Sequence, residues 1–173
     1  MEDILQKRID EGALRRVDVN DATPQRVIDL LVDNPMFAEF DTKELQAIAP
    51  YFMIFEAPAG RAIIREGEPG QFLCIVVEGK LSVLKGNDGG KRRKITVLRR
   101  GRSLGEMSLI DGLPNSASAE TDEDSVLLLL TRNNLFRITQ DYPKIGVKWL
   151  WQLARLVSQR LRQTTGVLLD YID

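Results

Sequence analysis

A short segment that begins with a glycine, Gly105 to Leu109, is the part of the sequence best suited to bind an anion. Glycine has no Cβ, so Gly105 permits a tight backbone turn where a larger residue would collide with a bound molecule. The short helix that we predict to begin near Glu106 points unpaired N–H groups and the positive end of its dipole toward that turn. These residues predict a phosphate-binding site. A plain turn with a surface carboxylate is the alternative interpretation.

The sequence contains no histidine, which excludes several classes of catalytic and metal site. Ser-His and Cys-His catalysis need an imidazole base, and histidine-ligated zinc or iron needs an imidazole ligand. A metal-dependent enzyme of the cupin type is therefore excluded, and no group of carboxylates or lysines with catalytic spacing stands out. We expect a binding protein with no catalytic residues and no metal site, not an enzyme.

The composition indicates one globular domain. Of the 173 residues, 43% are hydrophobic and 28% are charged, which distinguishes the chain from disordered and membrane proteins. No apolar run is long enough to cross a bilayer and no charged-then-apolar leader opens the chain, so we expect a cytoplasmic protein. The single cysteine, Cys74, excludes an intramolecular disulfide, and its apolar neighbours over residues 72–77 predict a buried packing thiol.

Charge is unevenly distributed along the chain. The net charge of −1 gives no global attraction for nucleic acid, but seven basic residues lie close together. The cluster consists of Lys91, Arg92, Arg93, Lys94, Arg99, Arg100 and Arg102. One interpretation is a solvated β-hairpin with its turn at residues 87–90, and the other is a surface for an anionic ligand or partner.

Helices are predicted before the glycine-rich middle of the chain. Residues 3–16 have helix-forming composition, but their apolar stripe is too thin for a core helix, so we expect this helix to dock onto a surface or to dimerise. After a linker over residues 17–22, Thr23 and Pro24 begin a second helix that ends at Asn34-Pro35. A third begins at Asp41, whose side chain forms a capping box with Glu44.

Strands alternate with glycine-containing turns from residue 53 to residue 131, and helices follow. The spacing of the strands indicates a sandwich, a roll or a barrel. The predicted strands are residues 53–56, 61–65, 72–77, 81–85, 94–98, 116–121 and 126–130. A short helix is expected over residues 133–140, and a long amphipathic helix from Pro143 to about residue 165. The fold class is therefore α+β and mainly β.

Two motifs in this frame carry a family resemblance. Glu66 to Gly70, followed by the apolar strand and Glu78-Gly79, is one motif, and residues 105–109 followed by residues 115–117 are the other. Together they resemble the cyclic nucleotide-binding domain family over residue 34 to about residue 165. The resemblance implies a β-roll, or double-stranded jelly roll, flanked by N-terminal helices and a C-terminal lid helix. It places an extension and linker at residues 1–33 and the domain at residues 34–173, with the roll at 53–131 and the lid helix at 143–165.

The resemblance also assigns roles to individual residues. Glu106 would accept a hydrogen bond from a ribose 2′-hydroxyl, and Ser116 and Ala117 would donate backbone N–H groups to a cyclic phosphate. In related bacterial regulators, hydroxyl residues of the long helix contact the purine, which points to Thr164 and Thr165; ordinary polarity at a helix end is the alternative. The full set of expected ligand-binding residues is Leu104, Gly105, Glu106, Met107, Ser108, Asn115, Ser116, Ala117, Thr164 and Thr165.

Asn115 stands where the family usually has an arginine. Asparagine is neutral and cannot form a bidentate pair with phosphate, so losing one charge-assisted bond predicts a complex about ten- to hundredfold weaker. Three explanations are open. Another arginine, such as Arg99, Arg100 or Arg102, reaches the phosphate; the pocket binds a different ligand such as cyclic di-GMP; or the pocket is empty and the fold serves protein contacts.

These observations lead to two hypotheses for function. The first is a non-enzymatic regulatory module that binds cyclic AMP, cyclic GMP or cyclic di-GMP and signals through the lid helix to an effector protein. The second is a degenerate domain that binds no nucleotide and serves as a protein-interaction or assembly module. The family's transcription factors add a helix-turn-helix after the long helix, and only residues 167–173 follow it here, so we expect no direct DNA binding. The resemblance further suggests a homodimer through residues 149–161 of the lid helix.

Overall fold

The computed structural model describes residues 4–17, 23–86 and 91–169, and within them the chain forms six α-helices and nine β-strands. The helices are α1 Ile4–Asp10, α2 Thr23–Val32, α3 Thr42–Ile48, α4 Glu106–Asp111, α5 Arg132–Asp141 and α6 Pro143–Leu169. The strands are β1 Arg15–Arg16, β2 Met53–Ala57, β3 Ala62–Ile64, β4 Phe72–Glu78, β5 Leu81–Gly86, β6 Arg92–Leu98, β7 Ser103–Leu104, β8 Ser118–Thr121 and β9 Ser125–Thr131. Single 3₁₀ turns occur at Pro35–Phe37 and Ala49–Tyr51.

Two antiparallel sheets form the β-roll. One has the strand order β1-β2-β9-β4-β7 and the other β3-β8-β5-β6. Buried side chains from both sheets, including Phe55, Cys74, Leu81 and Ala119, share one apolar cluster, so the sheets pack face to face. The predicted β-roll with flanking helices is confirmed.

The first sheet is also covered on its outer face, by helices. Ile75 and Leu128 project from it into a second apolar cluster with residues of α2, α3, α5 and α6. Trp149 of α6 is fully buried there, with its ring 5.5 Å from Phe37 and 5.4 Å from Phe52, centroid to centroid. Because β4 and β9 are buried on both faces, their sequences are continuous apolar runs instead of alternating ones.

Most predicted elements of the roll and the lid are present, with shifted ends. The capping box of Asp41 and Glu44 is formed, and Asn34 caps the turn that follows α2. The lid helix continues beyond Gly166 to Leu169. Two strands of two residues each, β1 and β7, were not predicted, because such short strands have no periodicity of their own. Most of the predicted linker and the hairpin turn at residues 87–90 lie outside the described residues.

The prediction for the first helix was wrong in two respects. The helix ends at Asp10, and the chain continues into β1, which pairs with β2. Its apolar residues are not a thin surface stripe, since Ile4 and Leu5 are buried and belong, with Leu14, to the cluster between the sheets. The division of the chain into an extension and a domain at residue 33 stays a prediction. Ile4, Leu5 and Leu14, which precede that boundary, share the apolar core of the roll.

Cys74 is fully buried within β4, as predicted, and this burial raises the pKa of its thiol. No helix among the described residues is long and apolar enough to cross a membrane.

Arg8 explains why α1 packs so closely on the roll. Its side chain is fully buried, and its Nε donates to the carbonyl oxygen of Ile63 at 3.1 Å. Its two Nη groups pair with Glu11 and with Glu68 of the turn after β3. Arg65 completes the network by donating to both carboxylate oxygens of Glu11, at 3.0 and 2.9 Å. A residue counted as polar in the sequence pattern is therefore an anchor of the helix.

We expect Arg8→Ala to lower the free energy of unfolding by about 3 kcal/mol, because it removes a buried guanidinium and leaves its partners unsatisfied. Urea unfolding monitored by circular dichroism measures this change. Lys7→Ala is the matched control, since Lys7 pairs with the same Glu68 at 3.4 Å but is one-third exposed, and it should cost less than about 1 kcal/mol. Equal losses for the two variants would contradict the assigned role.

Candidate functional site

Gly105 holds the backbone in a conformation that another residue would not tolerate. Its φ is +85°, and a Cβ at this position would lie 2.4 Å from the carbonyl oxygen of Phe72. The preceding strand β7 fixes this approach, because Ser103 and Leu104 pair with Ile75 and Cys74 of β4. The sequence-predicted turn is therefore present and lies directly against the sheet.

Glu106 follows that turn as the first residue of α4, and it is the central side chain of the site. It is only 3% exposed. Its Oε1 forms an ion pair with Arg160 of α6. Its Oε2 is buried and has no hydrogen-bond partner among the described residues. A carboxylate oxygen in that position is a strong acceptor without a donor, which costs free energy unless a bound molecule provides one.

Arg160 links the lid helix to this carboxylate. While one Nη donates to Glu106, the other donates to the carbonyl oxygen of Ser103 at 2.5 Å. Burial lowers the pKa of Arg160, and the nearby charge of Arg102 lowers it further. The sequence pattern of this stretch points to its threonines and not to Arg160. Nothing in the local pattern shows that this arginine reaches a glutamate 54 residues earlier.

The hydroxyls of the two threonines selected from α6 bond within that helix. Thr164 and Thr165 are exposed, and their hydroxyls donate to the carbonyl oxygens of Arg160 and Leu161, each at 2.9 Å. This is the local bonding that polar residues commonly adopt within a helix. Their assignment to the ligand remains a prediction.

Asn115 lies at the position of the missing arginine and is 8% exposed. Its backbone is fixed to the turn after β3, since its N–H donates to Glu68 and its carbonyl accepts from Gly67, both at 2.9 Å. Its Nδ2 donates to the carbonyl oxygen of Arg65 at 3.4 Å. The side chain thus holds two loops together and carries no charge toward the site.

The remaining predicted residues surround this centre. Leu104 is buried and Met107 is half exposed. Ser108 is buried against Gly70, where an added Cβ would lie 1.9 Å from the Cβ of Ser108. The turn after β3 and helix α4 are therefore in close contact.

Ser116 and Ala117 begin the run that leads into β8, and a lysine that the sequence pattern does not single out contacts Ser116. The Nζ of Lys85 donates to the carbonyl oxygen of Ser116 at 2.5 Å. The same Nζ lies 2.5 Å from Oε1 of Glu66. Lys85 is the penultimate residue of β5, and its sequence position gives no sign that it reaches residue 116.

The arginines suggested as auxiliary phosphate ligands lie together in one short segment. Arg99, Arg100 and Arg102 belong to the segment between β6 and β7. Arg100 pairs with Asp33 at 2.9 Å, and Arg102 lines a groove of about 940 Å³ between this segment and α6. None of the contacts described for them reaches residues 115–117. Their role as phosphate ligands stays a prediction. No group of three or more acidic or thiol side chains that could hold a metal ion occurs among the described residues.

Comparison with known proteins places this geometry in context. Residues 54–142 match the family model described as Cyclic nucleotide-binding domain. Over 130 residues, 75% of this chain, the sequence is 33% identical to the Cyclic AMP receptor protein of Thermus thermophilus and covers 58% of that protein. The chain spans a little over half the length of the first curated relatives it matches.

Solved structures agree with the sequence matches. The crystal structure of a cyclic nucleotide-binding domain from Methylobacillus flagellatus matches with a TM-score of 0.80 at 26% identity, covering 92% of this chain and 89% of that one. The regulatory subunit of a cAMP-independent protein kinase A from Trypanosoma brucei shares the fold, with a TM-score of 0.68 at 21% identity over 81% of this chain and 47% of that one.

We expect Gly105→Ala to destabilise the protein by clearly more than Gly60→Ala. Both glycines have positive φ, +85° and +73°, but a Cβ at Gly60 would meet nothing within 4 Å. The Gly60 variant should therefore cost only the conformational strain, about 1–2 kcal/mol, and the Gly105 variant at least about twice that, because the Phe72 carbonyl must also move. Thermal unfolding of the two variants measures the difference, and equal losses would contradict the close approach.

Proposed function

The chain belongs to the cyclic nucleotide-binding domain family, and we propose that it is a non-enzymatic regulatory module that binds a cyclic nucleotide between α4 and residues 115–117. The observation that carries this proposal is the buried Oε2 of Glu106, which lacks a donor among the described residues. A ribose 2′-hydroxyl would supply that donor, and Gly105 allows the close turn against Phe72 that precedes Glu106. The proposed contacts are Leu104, Gly105, Glu106, Met107, Ser108, Asn115, Ser116 and Ala117, with Thr164 and Thr165 toward the base.

Cyclic AMP is the first ligand to test, and cyclic GMP the second. The Thermus relative is named for cyclic AMP. The fold alone does not decide the ligand, because the Trypanosoma brucei neighbour is described as cAMP-independent. Cyclic di-GMP is not proposed, because none of the contacts described for Arg99, Arg100 and Arg102, the residues suggested to bind it, reaches residues 115–117.

The lid helix is the proposed route of the signal. Arg160 joins α6 to Glu106 and to Ser103, so a hydroxyl that donates to Oε2 of Glu106 reduces the negative charge that Oε1 presents to Arg160. The ligand moves α6 only to the extent that it binds one lid position more tightly than the other. An effector protein, or a second copy that contacts the exposed Trp151 and Leu161 of α6, would then respond to that position.

One observation favours the alternative, a domain that binds no nucleotide and serves protein contacts. Asn115 is neutral, and its amide is engaged with Arg65 of the neighbouring loop. A phosphate placed there would face a group that can offer one neutral hydrogen bond in place of a guanidinium fork. If the folded wild-type protein binds neither nucleotide in the titration described next, that result would favour this alternative.

We expect calorimetric titration to show saturable binding of cyclic AMP or cyclic GMP with a Kd of roughly micromolar or tighter. Glu106→Gln keeps the shape of the side chain but loses the charge, and should weaken binding about ten- to hundredfold. Glu39→Gln is the control, because it removes another ion pair of α6, with Arg155, on an exposed surface. No binding of either nucleotide by the folded wild-type protein would overturn the proposal.

The signalling role of Arg160 has a separate test. We expect saturating ligand to change the hydrogen exchange of backbone amides in residues 156–165 of the wild-type protein, because their contacts with Glu106 are altered. In Arg160→Met this ligand-dependent change should be largely lost, at ligand concentrations that still saturate the variant. An unchanged response in Arg160→Met would mean that the signal reaches α6 by another contact.

A further inference from the structure

Lys85 brings a positive charge to the loop that would hold the ligand's phosphate. It lies near the end of β5, and its Nζ contacts the Ser116 carbonyl oxygen at 2.5 Å. An ammonium has three N–H donors. Two of them are directed at Ser116 and at Glu66 among the described residues, which leaves one for another acceptor.

Two arginines near this part of the fold are engaged by other groups. The guanidinium of Arg160 is divided between Glu106 and Ser103. Arg65 pairs with Glu11. A cyclic phosphate carries a full negative charge, and leaving it in a partly buried site without a cation is unfavourable.

We infer that Lys85 supplies the positive charge for the phosphate that Asn115 cannot supply. This inference rests on the proposed binding of a cyclic nucleotide and adds the residue that makes such binding possible without the usual arginine. Lysine acts as a point charge and not as a planar fork, so it stabilises the phosphate without fixing its orientation. The contact with Ser116 holds the ammonium beside the backbone that would donate to the same phosphate.

Glu66 positions Lys85 and also competes with the ligand for it. Its Oε2 accepts from the N–H of Gly86 at 2.9 Å while its Oε1 pairs with the ammonium. The Lys85 ammonium lowers the pKa of Glu66, and the Gly86 N–H lowers it further, so the carboxylate stays ionised at neutral pH. Without a ligand the pair is neutral overall; with a phosphate present, the ammonium is shared between two anions.

The test is a set of calorimetric titrations with cyclic AMP and cyclic GMP at two salt concentrations. Because the Lys85 side chain is half exposed, we expect Lys85→Met to weaken binding about three- to tenfold and to reduce its salt dependence. Lys94→Met is the matched control, with a side chain of equal exposure that pairs with Asp122 at 3.4 Å, and should change the Kd by less than about twofold.

Two further variants separate a role in binding from a loss of folding. Glu66→Gln keeps Lys85 and removes its competitor, so it should tighten binding about two- to fivefold. In an Asn115→Arg background the arginine takes the phosphate, so adding Lys85→Met should cost less than about twofold. Thermal unfolding of each variant confirms that it is folded.

The outcomes distinguish this inference from the proposed function. If the wild-type protein binds and Lys85→Met binds equally well, the role of Lys85 is overturned and the proposed function stands. If the wild-type protein does not bind but Asn115→Arg does, Lys85 does not compensate for the missing arginine, so the inference is overturned and the proposed function fails for the natural sequence. If neither protein binds cyclic AMP or cyclic GMP, the proposed function fails and the inference fails with it.

Discussion

The organisation of the site depends on one buried charge. Glu106 is almost completely removed from solvent, and an ionised carboxylate in that position is costly unless a cation and hydrogen-bond donors compensate it. Arg160 provides that compensation from 54 residues later in the chain, which ties α6 to α4 and to β7. The pair satisfies only one of the two carboxylate oxygens. The same arrangement therefore holds the lid on the roll and leaves an acceptor for a ligand.

A second network holds the other side of the site. The turn after β3 bonds to Asn115 through Gly67, Glu68 and Arg65. Glu68 and Arg65 are in turn paired with Arg8 and Glu11 in the N-terminal segment. The loop that would contact a phosphate is thus connected to α1 by a short chain of hydrogen bonds and ion pairs. Both helical regions, α1 and α6, meet the site through charged side chains, and both also pack on the roll through buried apolar residues.

The sequence was sufficient to predict the family, the β-roll and the turn at Gly105, because each leaves a local signature: apolar runs, turn glycines and a motif of fixed spacing. It was not sufficient for contacts that join distant segments. The burial of Arg8 contradicts the usual exposure of arginine, and depends on partners at residues 63 and 68. Arg160 and Lys85 were missed for the same reason, since their partners are fixed by the packing of helix on roll and strand on loop. The assignments of the individual ligand-binding residues remain predictions.

The fully buried guanidinium of Arg8 also constrains the order in which parts of the protein fold. The helix that carries it precedes one of its ion-pair partners, Glu68, by 60 residues. Glu11 is close in sequence, but the contacts of Arg8 with Ile63 and Glu68 require β3 and the turn after it, so the guanidinium becomes fully buried only when that part of the roll has formed. The ion pair of Glu106 and Arg160 forms later still, because it requires α6 to be in place. The contacts that hold α1 and α6 on the roll therefore form late, and their long sequence separation makes folding slower than that of a helical bundle of similar size.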